Sequence, residues 1–256
     1  MAIETMIDVH GVLDRAPASL ACPFRERIDA VDWRQVEIAL AEDGYAVIPS
    51  LLADQDCQHV ANLYGEEDRF RSRIVMERHA FGRGEYKYFS YPLPDAIGRL
   101  RSALYSRLAP AANRWHEAMR MAERFPLTLE EFLRVCHRDG QTRPTPLMLR
   151  YRERDYCCLH QDLYGNHVFP FQAVFLLDEP GLDFEGGELL LAESDPKGPG
   201  RAEVVPLRRG DAVIFAVNSR PVRSGRGHYR VSLRHGVSQL RRGQRGTLGI
   251  IFHDAS

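Results

Sequence analysis

His160, Asp162, His235 and Arg245 are the residues whose types and spacing suit chemistry. His160-Gln161-Asp162 sets an imidazole and a carboxylate two positions apart. On a strand, residues i and i+2 point to the same face, so one metal ion can touch both. A second imidazole from His235 would complete two histidines and one carboxylate on one side of the ion. Three positions stay open, the facial triad of non-haem Fe(II) oxygenases, where the open sites take a co-substrate and O₂. Arg245 stands ten residues beyond His235 and Thr247 two further on. That order suits a third ligand followed by a clamp for the far carboxylate of a dicarboxylate, through charge-assisted bonds of ~1.5–3 kcal/mol each.

Each assignment has a plainer competitor. A His-x-Asp pair is short enough to recur by chance, and the chain holds a second, His137-Arg138-Asp139. That copy ends a predicted helix, where positions two apart point about 200° from each other, and reads as a surface coincidence. His160 and Asp162 could form a structural hydrogen-bonded pair. His228 and His253 compete with His235 for the third ligand position. The ten-residue gap to Arg245 favours His235. His228, between Arg226 and Arg230, reads as a loop residue, and His253 as core or rim of the last strand.

The elements that must position these residues change in texture near residue 143. Up to about residue 140 the signals are mostly helical. Asp32 can cap a run with Trp33, Val36 and Leu40 that stops at Gly44, and Asp54 can cap another through Tyr64. Residues 45–49 and 85–91 are strand-like. A long helix is predicted from Asp95 to about Met121, interrupted near Pro110, and Thr128 with Glu131 forms a capping box for a helix ending at Gly140. Beyond 143, short β-rich runs separated by Gly, Pro and Asp cover 147–152, 168–177, 188–192, 202–207, 212–217, 229–237 and 247–252. Such strands predict a sandwich or jelly roll. No dinucleotide, P-loop or nucleophile-elbow motif follows a strand. The expected organisation is an N-terminal arm (1–30), a mainly helical region with short strands (31–142) and a β core (143–256), integrated as one domain.

Composition sets wider bounds. The chain has 256 residues, 44% apolar and 27% charged, with a formal charge of −1, which suits a folded chain and excludes attraction to polyanions by net charge alone. Five cysteines without a CxxC point to a reducing cytoplasm. Glu4 and Asp8 argue against a secretory signal, and no apolar run reaches the ~18 residues of a membrane span. Cys157 and Cys158 read as buried packing residues. Basic charge gathers in two tracts. Residues 220–245 hold eight arginines and no acid, either a phosphate-contacting surface or a solvated loop. Residues 69–91 interleave arginines and Lys87 with Phe70, Phe81, Tyr86, Tyr88, Phe89 and Tyr91, suited either to stacking single-stranded bases at ~1–3 kcal/mol each or to one core-facing side of a strand.

The sequence resembles the 2-oxoglutarate/Fe(II)-dependent dioxygenases with a double-stranded β-helix core, through Tyr151, His160, Asp162, Gly186, Gly187, Glu188, His235, Gly243 and Arg245. More narrowly, it looks like a bacterial oxygenase family predicted to demethylate damaged nucleic acids oxidatively. The tracts are EYKYFSYPLP (85–94), RPTPLMLRY (143–151), LHQDLYGNHVFPFQ (159–172), DFEGGE (183–188), RHGV (234–237) and LGIIFHDA (248–255). It is also similar to the alkylation-repair dioxygenases over 149–162, but has Leu149 where they carry a co-substrate-contacting Asn and Arg154 where they usually carry Gly.

The resemblance implies an α+β fold, a jelly roll with N-terminal helices packed on it. It implies Fe(II) held by His160, Asp162 and His235, 2-oxoglutarate positioned by Tyr151 and Arg245 with Thr247, and O₂ at the last open position. No catalytic residue is expected beyond the metal centre. Asp162 retains a carboxylate ligand where a Gly or Ala would open a halide site, so hydroxylation is expected. Oxidative demethylation of alkylated nucleic acid, single-stranded or with the base flipped out, is the first functional expectation, with Tyr86, Tyr88, Arg83, Arg226 and Arg230 as candidate substrate contacts. Neither a membrane nor an obligate protein partner is expected. Hydroxylation of a protein side chain or small metabolite, and a non-catalytic jelly-roll binding module, are the alternatives.

Overall fold

The computed structural model describes residues 23–225 and 227–256. Its N-terminal half holds α1 (Pro23–Ala30), α2 (Trp33–Asp43), β1 (Tyr45–Ile48), α3 (Asp54–Asn62), β2 (Phe70–Val75), β3 (Gly82–Arg83), β4 (Glu85–Phe89), α4 (Asp95–Ala118) and α5 (Leu129–Arg138). The remainder is β: β5 (Leu147–Arg152), β6 (Tyr156–His160), β7 (Phe171–Leu176), β8 (Phe184–Gly186), β9 (Leu189–Ser194), β10 (Arg201–Val205), β11 (Ala212–Ala216), β12 (Ser219–Ser224), β13 (Gly227–Val237) and β14 (Leu240–Ile251). The expected N-terminal arm falls partly outside the described residues. Its last eight residues are α1, which buries Phe24 and Ile28.

The strands form two antiparallel sheets. The larger runs β1-β11-β7-β14-β5-β4-β2 with β8 on β14, and the smaller runs β10-β9-β13-β6-β3 with β12 on β13. They pack face to face, Leu189 and Leu191 of the smaller against Val213 and Phe215 of the larger. The outer face of the larger sheet carries the helices. Along β7, Phe171, Ala173 and Phe175 pack with Leu40, Leu104 and Phe252, while the intervening Gln172 and Val174 line a cavity between the sheets. The period of two thus sends one set of side chains to the helices and the other to the site. This is the double-stranded β-helix expected from the sequence, with β1, β2 and β4 of the N-terminal half extending the larger sheet.

Several local expectations are corrected. Helix α4 runs unbroken through Pro110, because its Leu100, Leu104, Leu108, Ala112 and Trp115 are all buried and that packing outweighs the ~3 kcal/mol an internal proline costs. Asp54 is the first residue of α3 and does not cap it; the Asp56 carboxylate accepts the Ala53 N–H at 2.9 Å. The 220–245 arginine tract is neither a loop nor a uniform basic surface: it spans β12, β13 and the start of β14. Arg220 is buried against Glu193 at 2.7 Å, and Arg241 and Arg242 pair with Glu188 and Glu185.

One buried ion pair ties helix to sheet. Arg101 on α4 donates to Asp254 at 2.9 Å and to the carbonyls of Ile251 and Phe252, and both charged side chains are almost wholly excluded from solvent. Removing one partner strands the other's charge, so Arg101→Met is expected to lower stability by about 3–5 kcal/mol. Urea unfolding checks this, and a loss below about 1 kcal/mol would contradict it.

Candidate metal centre and co-substrate cavity

His160 and His235 are paired directly across β6 and β13, where opposed side chains stand on one face a few ångströms apart. Their ring centroids lie 4.2 Å apart. Asp162 follows just past the end of β6 and reaches back between them, 3.5 Å from His160 Nε2 and 3.3 Å from His235 Nε2. One ligand atom from each of the three residues lies within 4.8 Å of the others. The His160 Nδ1–H is directed at the Cys158 carbonyl at 2.9 Å, which leaves Nε2 facing the acid, the tautomer a metal needs.

The charge state of this cluster follows from its burial. Burial acts against the proton on His160, but the Asp162 carboxylate and Cys157 outweigh it and raise the pKa to about 11. His235, more deeply buried, is shifted down despite Asp162. Burial alone would raise Asp162, yet hydrogen bonds from both imidazoles hold it well below the usual carboxylate range. Without metal the site is therefore a His160⁺–Asp162⁻ pair beside a neutral His235.

The larger sheet supplies the opposite wall. Arg245 pairs in register with Tyr151, and Thr247 with Leu149, across β14 and β5. All four side chains enter one cavity of about 330 Å³ shared with His160, Asp162 and His235. Arg245 is 2% exposed and Tyr151 1%. Among the described residues no carboxylate lies within 4 Å of the Arg245 guanidinium, and the Tyr151 hydroxyl is buried without a partner. Two glycines shape this corner. Gly186 and Gly187 have φ of +78° and +65°, and a Cβ on Gly187 would come within 3.0 Å of Arg245 Cδ. The DFEGGE turn is the backbone against which the arginine lies. Leu149, opposite Thr247, presents an alkyl group where the repair enzymes offer an amide. Arg154 adopts φ +71°, a left-handed position for which Gly is the unstrained choice.

The structure separates the remaining candidates. Tyr86 and Tyr88 share one face of β4 and line the cavity, ring centroids 5.3 Å apart and edge to face. Arg83 turns away to Asp155 at 3.5 Å. Arg230 is exposed on the β12–β13 hairpin, opposite Pro221, so neither arginine lines the cavity. Arg226 lies outside the described residues. His228 is an exposed strand residue of that hairpin, and His253 is fully buried, accepts the Phe169 N–H at 3.3 Å and is held by burial at a pKa of about 4. His137 and Asp139 do not meet each other; they bond Asp254 and His167 respectively. Cys157 is buried with Sγ 3.6 Å from His160 Nδ1, but Cys158 is exposed, because successive strand residues face opposite ways.

Two site residues escaped sequence reasoning. Tyr164 donates its hydroxyl to Asp162 Oδ1 at 2.5 Å, and the Gln172 amide lies 3.2 Å from His235 Nε2 with its Oε1 unpartnered. The alternation along β7, which puts Gln172 on the inner face, could have drawn attention to Gln172; Tyr164 lies in the loop after β6, where no period marks it. Tyr164 is a positioning residue that holds one oxygen of Asp162 and so aims the carboxylate. Tyr164→Phe is expected to weaken divalent metal binding about 10–100-fold, the usual effect of an outer hydrogen-bond partner. Titration with Mn(II) by calorimetry measures it; unchanged affinity would remove Tyr164 from this role.

The donor set fits Fe(II): two neutral-capable imidazoles and one carboxylate on one side of a common point, with a cavity on the other. The unpaired buried guanidinium and the orphaned Tyr151 hydroxyl fit a dicarboxylate at the far end. Together with the sheet topology they define the class of 2-oxoglutarate- and Fe(II)-dependent oxygenases. The chain belongs to the family described as an oxygenase catalysing oxidative methylation of damaged DNA, which matches residues 84–255. Two uncharacterised proteins from strains of Mycobacterium tuberculosis are 42% identical to it over 177 residues, covering 69% of this chain and 76% of each relative. In fold it is similar to a prolyl-4-hydroxylase from Pseudomonas putida (TM-score 0.52, 16% identity, 88% of this chain and 99% of that one). It is likewise similar to a Trichoplax adhaerens prolyl hydroxylase solved with a hypoxia-inducible-factor peptide (TM-score 0.51, 14% identity, 90% of each). Among the described residues no helix is long and apolar enough to cross a membrane.

Proposed function

We propose that this oxygenase oxidatively demethylates alkylated bases of nucleic acid. One observation carries the reading: the cavity leading to His160, Asp162 and His235 is walled by Phe81, Tyr86, Tyr88 and Tyr164. Flat aromatic walls suit a planar base, and among the described residues that line it Arg245, at the co-substrate end, is the only arginine or lysine. An oxygenase oxidises a methyl carbon and so removes the group, which is why the expected product is the bare base.

His160, Asp162 and His235 would hold Fe(II), and Arg245 would grip the far carboxylate of 2-oxoglutarate, with Tyr151 and Thr247 beside it. When bound, the metal and co-substrate together with O₂ supply the oxidant for the methyl C–H bond. The protein's part is to orient and to exclude water. The Tyr86 and Tyr88 rings would flank the base, Tyr164 bonds Asp162, and Leu147, Leu149 and Ile251 keep the cavity apolar. The hydroxylated methyl then leaves as formaldehyde. A base reaches such a depth only when flipped or already single-stranded. The free thiols Cys57, Cys136, Cys157 and Cys158 support a reducing, cytoplasmic setting.

The test is formaldehyde release from N-methylated single-stranded oligonucleotides with Fe(II), 2-oxoglutarate and O₂, beside proline-containing peptides. Stoichiometric formaldehyde and succinate from the oligonucleotide alone are expected. Succinate coupled only to peptide hydroxylation would replace this reading with a protein hydroxylase. No succinate under any condition would favour a non-catalytic module.

A further inference from the structure

Arg71 lies on β2 beside the aromatic wall, its guanidinium 4.5 Å from the centroid of the Tyr88 ring. Its Nε donates to the Pro144 carbonyl at 2.9 Å. The two terminal nitrogens have no hydrogen-bond partner among the described residues, and no carboxylate approaches within 4 Å. Other cations in this region are matched: Arg69 pairs with Glu66, Arg73 with Glu85 and Lys87 with Glu67. Arg143, immediately before Pro144, is exposed with no ion pair among the described residues, and its backbone is fixed by reciprocal hydrogen bonds to Ala255 at 3.0 and 2.8 Å.

Arg143 therefore stands one residue from the Pro144 carbonyl that Arg71 holds, and among the described residues neither guanidinium has a carboxylate within 4 Å. Burial lowers the Arg71 pKa and Arg143 repels its charge, while Tyr88, Asp254 and Tyr164 favour it. The acid on that side, Asp254, is already bonded to Arg101, Tyr91 and His137. A half-buried cation without an anion is unfavourable unless a ligand completes it. Guanidinium forks match phosphate oxygens, and Tyr88 connects this point to the cavity, with Arg71 over its ring and the cavity lined by it.

We propose that Arg71 and Arg143 form an anion site that takes the phosphodiester of the nucleotide whose base enters the cavity. The inference rests on the nucleic-acid reading and deepens it: phosphate, rather than the base alone, sets affinity. Specificity for the base and grip on the backbone are then divided between neighbouring faces of one tyrosine.

The test compares an N-methylated nucleoside with its monophosphates and with a short single-stranded oligonucleotide, using the iron- and 2-oxoglutarate-loaded enzyme. In the wild type, phosphate should lower KM at least tenfold with little change in kcat. In Arg71→Gln and in Arg143→Glu the nucleoside-to-nucleotide KM ratio should fall toward one. Arg143 is exposed, so its variant keeps the experiment informative if loss of the Arg71–Pro144 bond harms folding. A merely structural role for Arg71 would shift nucleoside and nucleotide alike and leave their ratio intact. Oxidation of nucleoside and nucleotide at equal KM, with neither variant altering the ratio, overturns the anion site alone. Failure of every methylated nucleotide and oligonucleotide as substrate overturns the nucleic-acid reading and this proposal with it.

Discussion

Arg245→Met should bind 2-oxoglutarate at least about 10²-fold more weakly than the wild type while its ligand-free form is no less stable. The two halves have one cause. The guanidinium is buried, no acid lies within 4 Å among the described residues, and burial works against its charge more strongly than Tyr151, Asp178 and Glu188 favour it. An uncompensated buried charge is a standing penalty on the empty protein. A carboxylate gripped by both prongs of the fork would return about 1.5–3 kcal/mol per charge-assisted bond, hence about 10²–10⁴-fold in affinity for two. Met keeps the alkyl stem that lies along Gly187 and removes the charge. Calorimetric titration with 2-oxoglutarate, with melting curves in its presence and absence, gives both quantities. Affinity within threefold of wild type would show that the co-substrate's far end is held elsewhere.

Metal binding should release close to one proton, and Asp162→Ala should reduce affinity by more than about 10²-fold, beyond the loss expected for Tyr164→Phe. Only neutral imidazole ligates. His160 carries its proton up to a pKa of about 11 in the metal-free site, against an ordinary 6.5, whereas His235 is already neutral. The proton released is thus that of His160, and affinity should rise about tenfold per pH unit between pH 7 and 9. The metal-free protein should respond in the opposite sense. A pKa raised on folding gives stability that is complete below the unfolded value near 6.5 and is lost as pH climbs toward 11. The depressed Asp162 gives stability present above 3.8 and lost as pH falls through its lower, folded value. Both statements describe one ion pair, so that pair's contribution to the chelated protein should be complete between about pH 4 and 6.5, and Asp162→Ala should remove it from the profile. Titrations in buffers of different ionisation heat count the proton, and urea unfolding against pH gives the profile. A pH-independent metal affinity would mean that His160 is neutral without metal.

What could be read along the chain was the part governed by short-range pattern. His160-Gln-Asp162 announces two donors for one ion, although only His160 lies on β6 and Asp162 reaches the same point from just past its end. The β runs after residue 143 and the Thr128 cap, whose hydroxyl accepts the Glu131 N–H, are likewise local. Arg245 and Thr247 were legible as a pair two apart on one strand, and the structure sets both on one wall of the cavity. The misreadings share a different origin. Pro110 breaks a helix by local rules, but burial along α4 keeps it whole. Arg83 and Arg230 carry the right charge for a substrate, yet strand pairing turns them away from the cavity. Whether Cys158 is covered and which acid meets Arg220 depend on neighbours set by folding.

The sequence by itself determined the donor types, the β core and the place of Arg245 on its strand, because each is written within a few residues. Tertiary structure decided that His235 faces His160 across two strands, that Tyr151 faces Arg245 across two more, and that among the described residues Arg71 meets no acid. Those relations arise from strand register between segments tens of residues apart, and a shift of one residue would have turned every one of those side chains to the opposite face.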